Sequence, residues 1–178
     1  CKQIVTLTYP HIGNYGTNGE DVESARIFAA GLIVRDLPLL ASNFRSDATL
    51  SEYLQRAGCV AIAGIDTRQL TRLLRDKGAQ NGAIVALAQG QAPDQAAIDA
   101  AIAAARAAPP MNGLDLAKVV SATEPYTWSQ TEWRLGEGYG REVAPRFKVV
   151  AYDFGVKYNI LRMLAERGCA LTVVPAQT

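Results

Sequence analysis

The feature that most constrains this chain is the alternation of segment types over residues 147–178. Phe147–Tyr152 (FKVVAY) is apolar and rich in valine, as a strand requires. Asp153-Phe154-Gly155 is a turn. Asn159–Arg167 places Ile160, Leu161 and Leu164 at helical spacing, facing inward, and Gly168 stops the helix. Leu171–Val174 is a second strand. A strand, a helix and a strand with short joints form a βαβ unit, the opening of an open α/β sheet. The sequence then stops, one strand into a fold that normally needs about five. At the other end residue 1 is Cys, and strand-like sequence begins at Gln3. The expectation is an internal piece of a longer protein, with an unfinished sheet edge after Val174 that promotes aggregation.

Upstream, Ile4–Thr8 (IVTLT) and Gly31–Arg35 (GLIVR) are strands, separated by a loop carrying Gly13, Asn14, Gly16, Asn18 and Gly19. Thr49-Leu50-Ser51-Glu52 is a capping box. The helix it opens shows Leu50, Tyr53, Leu54 and Ala57 on one face and stops at Gly58. Cys59–Ile65 (CVAIAGI) has the composition of a buried strand. Asp66 caps the next helix, whose stripe is Leu70, Leu73 and Leu74, closed by Lys77-Gly78. Ala83–Ala88 (AIVALA) is a further strand after the Asn81-Gly82 turn. Ten of the 17 residues from Ala92 to Ala108 are alanine, which favours helix and supplies little burial, so this helix is peripheral. Leu114–Val120 is apolar enough to pack but has no assignable type. Thr123–Leu135 reads as short edge strands, and Gly136–Pro145 as a linker.

A length of 178 residues allows one domain, or one and part of a second, at roughly 100–200 residues per domain. A net charge of +1 excludes a strongly basic nucleic-acid binder and an acidic tail protein. No apolar run approaches the roughly 20 residues of a membrane span, and no secretion signal is visible. The three cysteines, Cys1, Cys59 and Cys169, are too few and scattered for a disulfide framework. These features describe a soluble protein of a reducing compartment.

Candidate chemistry is sparse. His11 is the only histidine; a general base in a Gly-rich loop is conceivable, but a structural role leads, because no nucleophile has a recognisable elbow nearby. Cys59 and Cys169 lack the small flanking residues of a G-x-C-x-G elbow and read as buried, inert core thiols, while Cys1 is unassignable. No Cys or His has zinc-ligand spacing. The Gly13–Gly16 loop follows a strand but matches no phosphate-binding fingerprint; packing against another domain or subunit fits it at least as well. Arg68 lies in the first turn of its helix, where a cation opposes the dipole, and is either partnered or simply solvated. Asp153-Phe154-Gly155 sits at the carboxyl end of a strand, where open α/β sheets carry ligand sites: Gly155 makes the turn, Asp153 orders it, and Lys157 faces a substrate or partner only on weak evidence. The letters D-F-G also occur in protein kinases, but the rest of that signature is missing.

Five stretches carry a family resemblance in the right order: QIVTLTYPHIGN (Gln3–Asn14), GLIVRD (Gly31–Asp36), SNFR (Ser42–Arg45), IDTRQLTRLLRDKGAQNG (Ile65–Gly82) and VVAYDFGVKYNILRML (Val149–Leu164). Nearly the whole chain resembles the small chain of bacterial carbamoyl-phosphate synthase. The resemblance implies a fold of mixed α/β class: a β/β/α amino-terminal domain over 1–135, a linker at 136–146, and over 147–178 the first βαβ unit of a truncated class I glutamine amidotransferase (flavodoxin-like) domain. It implies a glutaminase subunit that delivers ammonia to a large subunit. The large subunit uses ATP and bicarbonate to make carbamoyl phosphate for arginine and pyrimidine biosynthesis in the cytoplasm. The implied partners are that large subunit and glutamine, with no nucleic acid and no membrane. No cofactor is implied in this chain, ATP being used by the large subunit. In the family the nucleophilic Cys lies in a G-x-C-x-G elbow beyond the PAQT stretch (Pro175–Thr178), its His and Glu lie further on, and a glutamine-holding serine precedes the position of Cys1. No catalytic, cofactor-binding or metal-binding residue is therefore carried over, and the chain by itself is expected to lack glutaminase activity. The TYPHIGN loop and the Asp66–Arg68 corner are the expected scaffold or contact positions. A non-catalytic docking domain for a large synthetase partner is the alternative. A doubly wound nucleotide-binding enzyme ranks below both, since the glycine fingerprint is missing.

Overall fold

The computed structural model describes residues 2–141 and 143–178. Cys1, to which the sequence assigns no role, and Glu142, inside the expected linker, lie outside the described residues. The chain divides into two units. Unit 1 is Cys1–Asp21 with Ile27–Leu114, and unit 2 is Val22–Arg26 with Asp115–Thr178.

Unit 1 is built on three short strands, β1 (Ile4–Thr6), β2 (Gly31–Ile33) and, after helix α1 (Leu50–Arg56), β3 (Val60–Ile62). They form a parallel sheet in the order β1-β2-β3, with Ile4 opposite Gly31 and Gly31 opposite Val60. The expected capping box is present: the Thr49 side chain accepts from the Glu52 amide, and the Glu52 carboxylate accepts from the Thr49 amide at 2.8 Å. Helix α2 (Thr67–Lys77) starts at Asp66, whose side chain accepts from the Gln69 amide at 3.0 Å, and ends at Gly78. Helix α3 (Gln95–Ala107) buries none of its residues, as its alanine content requires. The buried apolar residues of this unit are Val34 and Leu54, joined by Thr67.

Two expectations fail here. Ala83–Ala88 forms no strand: its segment is irregular, and no ladder partner among the described residues reaches it. The strand after Cys59 is three residues long and exposed along its length rather than buried. An apolar run fixes what a segment prefers, but a strand also needs a neighbour's hydrogen-bonding edge and something to cover its faces.

Unit 2 opens with the short helix α4 (Leu116–Val120) and the strand β4 (Tyr126–Trp128), followed by a hairpin of β5 (Gln130–Arg134) and β6 (Gly138–Arg141). Then come β7 (Phe147–Asp153), α5 (Tyr158–Glu166) and β8 (Cys169–Pro175). β7 and β8 pair in parallel over their full length, from Phe147 opposite Cys169 to Asp153 opposite Pro175, which is the expected βαβ unit. β4 pairs antiparallel with β8, giving the order β4-β8-β7. One cluster forms the core: Leu161 and Ala165 of α5 pack on Leu171 and Val173 of β8, with Tyr126, Trp128, Val149 and Ala151 around them.

The pairing changes several expectations. β8 is the central strand, and among the described residues the outer edges of β4 and β7 have no partner strand. Ile160 does not face inward: it is 52% exposed, while Leu161, one residue on, is fully buried. The buried face of α5 carries Leu161, Arg162 and Ala165, and at about 100° per residue Ile160 falls on the side of Leu161 away from Arg162. The segment expected as a linker carries β6, which pairs with β5. Asp115–Leu135 lies in unit 2, where β4 adds directly to the edge of β8.

Candidate functional site

The carboxyl edge of β7 and β8 carries a buried, hydrogen-bonded carboxylate. The Asp153 side chain is buried and accepts three backbone amides: Gly155 and Val156 at 2.8 Å on Oδ1, and Ala122 at 2.7 Å on Oδ2. This is an Asx-type turn joined to a second loop. Gly155 has φ +92°, and a Cβ there would lie 2.9 Å from Val120 Cγ2, so both conformation and space demand glycine. The sequence reading of Asp153 and Gly155 is therefore met in detail. The Ala122 contact was not legible, because its partner is 31 residues away in sequence. Ser121 joins the same edge, its Oγ accepting from the Ala176 amide at 2.9 Å. Burial raises the pKa of the nearby Tyr126 phenol above its ordinary value, with the Asp153 carboxylate and Tyr158 adding to the effect. Lys157 is exposed at the start of α5 and provides no side-chain cap.

The other candidates do not gather into a site. His11 Nδ1 lies 2.9 Å from Asp36 Oδ2 in an exposed pair, and the Ile12 amide donates to the Asp36 carbonyl. This supports the structural reading of His11. The glycine loop packs within its own unit: Gly16 has φ +67°, and a Cβ on it would overlap Ser46 Oγ and come 2.9 Å from the Ala48 carbonyl oxygen. The backbone of Thr17 bonds to Ala48 beside it. Close to this loop, Arg45 bonds to Asp21 at 2.8 Å and Glu20 at 3.1 Å. Desolvation lowers the Arg45 pKa, but the hydrogen bonds and negative charges of Asp21 and Glu20 together outweigh it and hold the value above its ordinary level. Arg68 is exposed and has no bonded partner among the described residues, which favours the solvated reading. Cys59 and Cys169 are free thiols, half-buried rather than fully buried. Among the described residues no cluster of three His, Cys, Asp or Glu could hold a metal ion. No helix among them is long and apolar enough to cross a membrane.

One residue escaped the sequence reading. Arg162 of α5 is only 4% exposed. Its Nε donates to Gln130 Oε1 at 2.9 Å, its Nη1 pairs with Glu23 at 3.4 Å, and its Nη2 donates to the Val22 carbonyl at 3.4 Å. Its guanidinium lies 4.1 Å from the Tyr139 ring centroid, with Tyr158 and Trp128 further out. Helical spacing places Arg162 near Leu161 and Ala165, but nothing local reveals that its acceptors come from distant segments.

Comparison with known proteins bears on these features. Residues 1–84 match the family described as carbamoyl-phosphate synthase small chain, CPSase domain. The chain is 65% identical over 178 residues to the carbamoyl phosphate synthase small chain of Rubrivivax gelatinosus, covering all of this chain and 46% of that protein. It is 66% identical over 177 residues to the one from Ralstonia nicotianae, covering 99% of this chain and 45% of that protein. It is 59% identical over 180 residues to the one from Escherichia coli O6:H1, covering 99% of this chain and 46% of that protein. The chain thus spans a little under half the length of these curated relatives. On this likeness, which runs through the Asp153 turn and the βαβ unit as well as the first 84 residues, the chain belongs to the carbamoyl phosphate synthase small chain family.

Proposed function

We propose that this chain serves within the small subunit of a glutamine-dependent carbamoyl-phosphate synthase, as part of its scaffold rather than its catalytic centre. The intact subunit would hydrolyse glutamine and supply ammonia to a large subunit. The large subunit would use ATP and bicarbonate to make carbamoyl phosphate for arginine and pyrimidine synthesis in the cytoplasm. The observation that carries this reading is the 65% identity extending over every residue of the chain to a relative named as that small chain. In domain terms, residues 1–135 would be the amino-terminal domain, 136–146 the connection, and 147–178 the start of the amidotransferase domain. The parallel β7-α5-β8 unit supports the last assignment.

The 178 residues include no G-x-C-x-G sequence around any of the three cysteines, and no histidine beyond His11. The purified chain is therefore expected to bind a carbamoyl-phosphate synthase large chain in a co-purification assay and to release no ammonia from glutamine above background. Ammonia release at the rate of a complete small chain would overturn the scaffold reading, as would failure to bind the large chain. Arg68, exposed and unpaired within the described residues, is the proposed contact. In a complete small chain carrying this sequence, Arg68→Ala is expected to weaken ammonia transfer to the large subunit with little change in Tm. A large drop in Tm with unchanged transfer would count against it.

A further inference from the structure

Helix α5 begins without a cap of its own. Lys157, at its N-cap, makes no side-chain hydrogen bond, and no acidic residue lies in the first turn. The orphan amides of a first helical turn need acceptors. Two are supplied from a segment more than a hundred residues away. The Tyr158 amide donates to the Glu23 carbonyl at 3.1 Å, and the Asn159 amide donates to Glu23 Oε2 at 2.8 Å. The other carboxylate oxygen, Oε1, pairs with Arg162 one turn further along the helix. Glu23 thus bonds to the first turn with its carbonyl and one carboxylate oxygen, and to the second turn with the other. A carboxylate in this place also meets the positive end of the helix dipole.

The segment that carries Glu23 is a short strap. Val22–Arg26 belongs to unit 2, although the residues on both sides of it, through Asp21 and from Ile27, belong to unit 1. The strap is held by Arg162, whose Nη2 also takes the Val22 carbonyl. The helix turn that Glu23 caps follows directly on the Asp153–Val156 turn at the carboxyl edge of the sheet.

We propose that Glu23 is a capping residue supplied at long range, and that with Arg162 it positions the Asp153–Asn159 segment at the carboxyl edge of β7 and β8. In this arrangement the strap does for α5 what a local Thr or Asp does for α1, α2 and α3. The order of the sheet edge then depends on a piece of chain whose flanks lie in the other unit. The inference does not rest on the carbamoyl-phosphate reading and stands or falls separately from it.

Amide hydrogen exchange on the full 178-residue chain tests the proposal. Glu23→Ala is expected to speed exchange at Asn159 about tenfold, the order of effect of losing a helix cap, with smaller increases at Tyr158, Val156 and Gly155. Exchange at Leu171 and Val173, in the central strand β8, is expected to stay unchanged. Glu23→Gln keeps a carbonyl oxygen for the Asn159 amide and loses the charge, so it is expected to restore most of the Asn159 protection. No acceleration at Asn159 would overturn the proposal. So would a uniform acceleration across unit 2, which would make Glu23 an ordinary stabilising contact. If Glu23→Ala does not fold, Glu23→Gln is read alone: a smaller acceleration confined to residues 155–159 supports the proposal, and none, or a uniform one, overturns it.

Discussion

Thr49 and Glu52 hold the first turn of α1 by reciprocal bonds, and the second of these makes the helix start sensitive to pH. The hydrogen bond from the Thr49 backbone, then that from its hydroxyl, lowers the Glu52 pKa below its ordinary value of 4.5. Folding lowers this pKa, so the contribution of the cap is fully present above about pH 4.5 and is lost as pH falls through the lower folded value. A carboxyl carbon titration by NMR is expected to show Glu52 titrating below the ordinary glutamate value of 4.5. Thr49→Ala is expected to return it to the ordinary range. Gly16 gives a second prediction at this scale. Its left-handed φ of +67° and the crowding by Ser46 and the Ala48 carbonyl make Gly16→Ala unfavourable twice over. A loss of about 2 kcal/mol or more is expected in a denaturant titration followed by far-UV circular dichroism.

Among the elements, α5 shows most directly how sequence pattern and packing combine. Leu161 sits in the core cluster with Val173, both fully buried, whereas its neighbour Ile160 is half exposed. Leu161→Ala is expected to destabilise unit 2 by about 2–5 kcal/mol through the cavity it leaves. Ile160→Ser is expected to change stability by no more than about 0.5 kcal/mol, in the range of ordinary surface substitutions. Both tryptophans, Trp128 and Trp133, lie in unit 2, so urea titrations followed by tryptophan fluorescence report on this unit and separate the two variants. Helix α3 behaves differently: it is stabilised by alanine propensity and by its Asp94 cap rather than by burial. A βαβ spacing, a capping box and a glycine after a helix are local signals, so α1, α2, α3, α5, β7 and β8 were all legible in the sequence. Ala83–Ala88 looked equally strand-like but found no partner edge.

For the molecule as a whole, the outer strand β7 is the feature with consequences in solution. Val150 and Tyr152 alternate with the core-facing Val149 and Ala151 and are more than half exposed, on a strand whose far edge has no neighbour among the described residues. Parallel strands are ordinarily covered on both faces, and an uncovered apolar edge invites pairing with another chain. Val150→Lys is expected to reduce concentration-dependent self-association of the chain, measured by sedimentation velocity, with little change in its folded circular dichroism spectrum. Equal association by the variant and the parent chain would show that this strand is not the contact.

The sequence by itself determined the mixed α/β class, most helix boundaries, the turn chemistry of Asp153 and Gly155, and the family resemblance. All of these rest on residues close together in the chain, where capping, periodicity and glycine preference act. Tertiary structure alone decided that β8 is central, that β4 joins the later unit, and that Asp153 also ties down Ala122. It also decided that Arg162 is buried among Gln130, Tyr139 and Glu23, and that the cap of α5 comes from residue 23. The reason is that each of these depends on which distant groups meet. A buried carboxylate or guanidinium is stable only where partners from elsewhere in the chain satisfy it, and spacing along the sequence does not encode those partners.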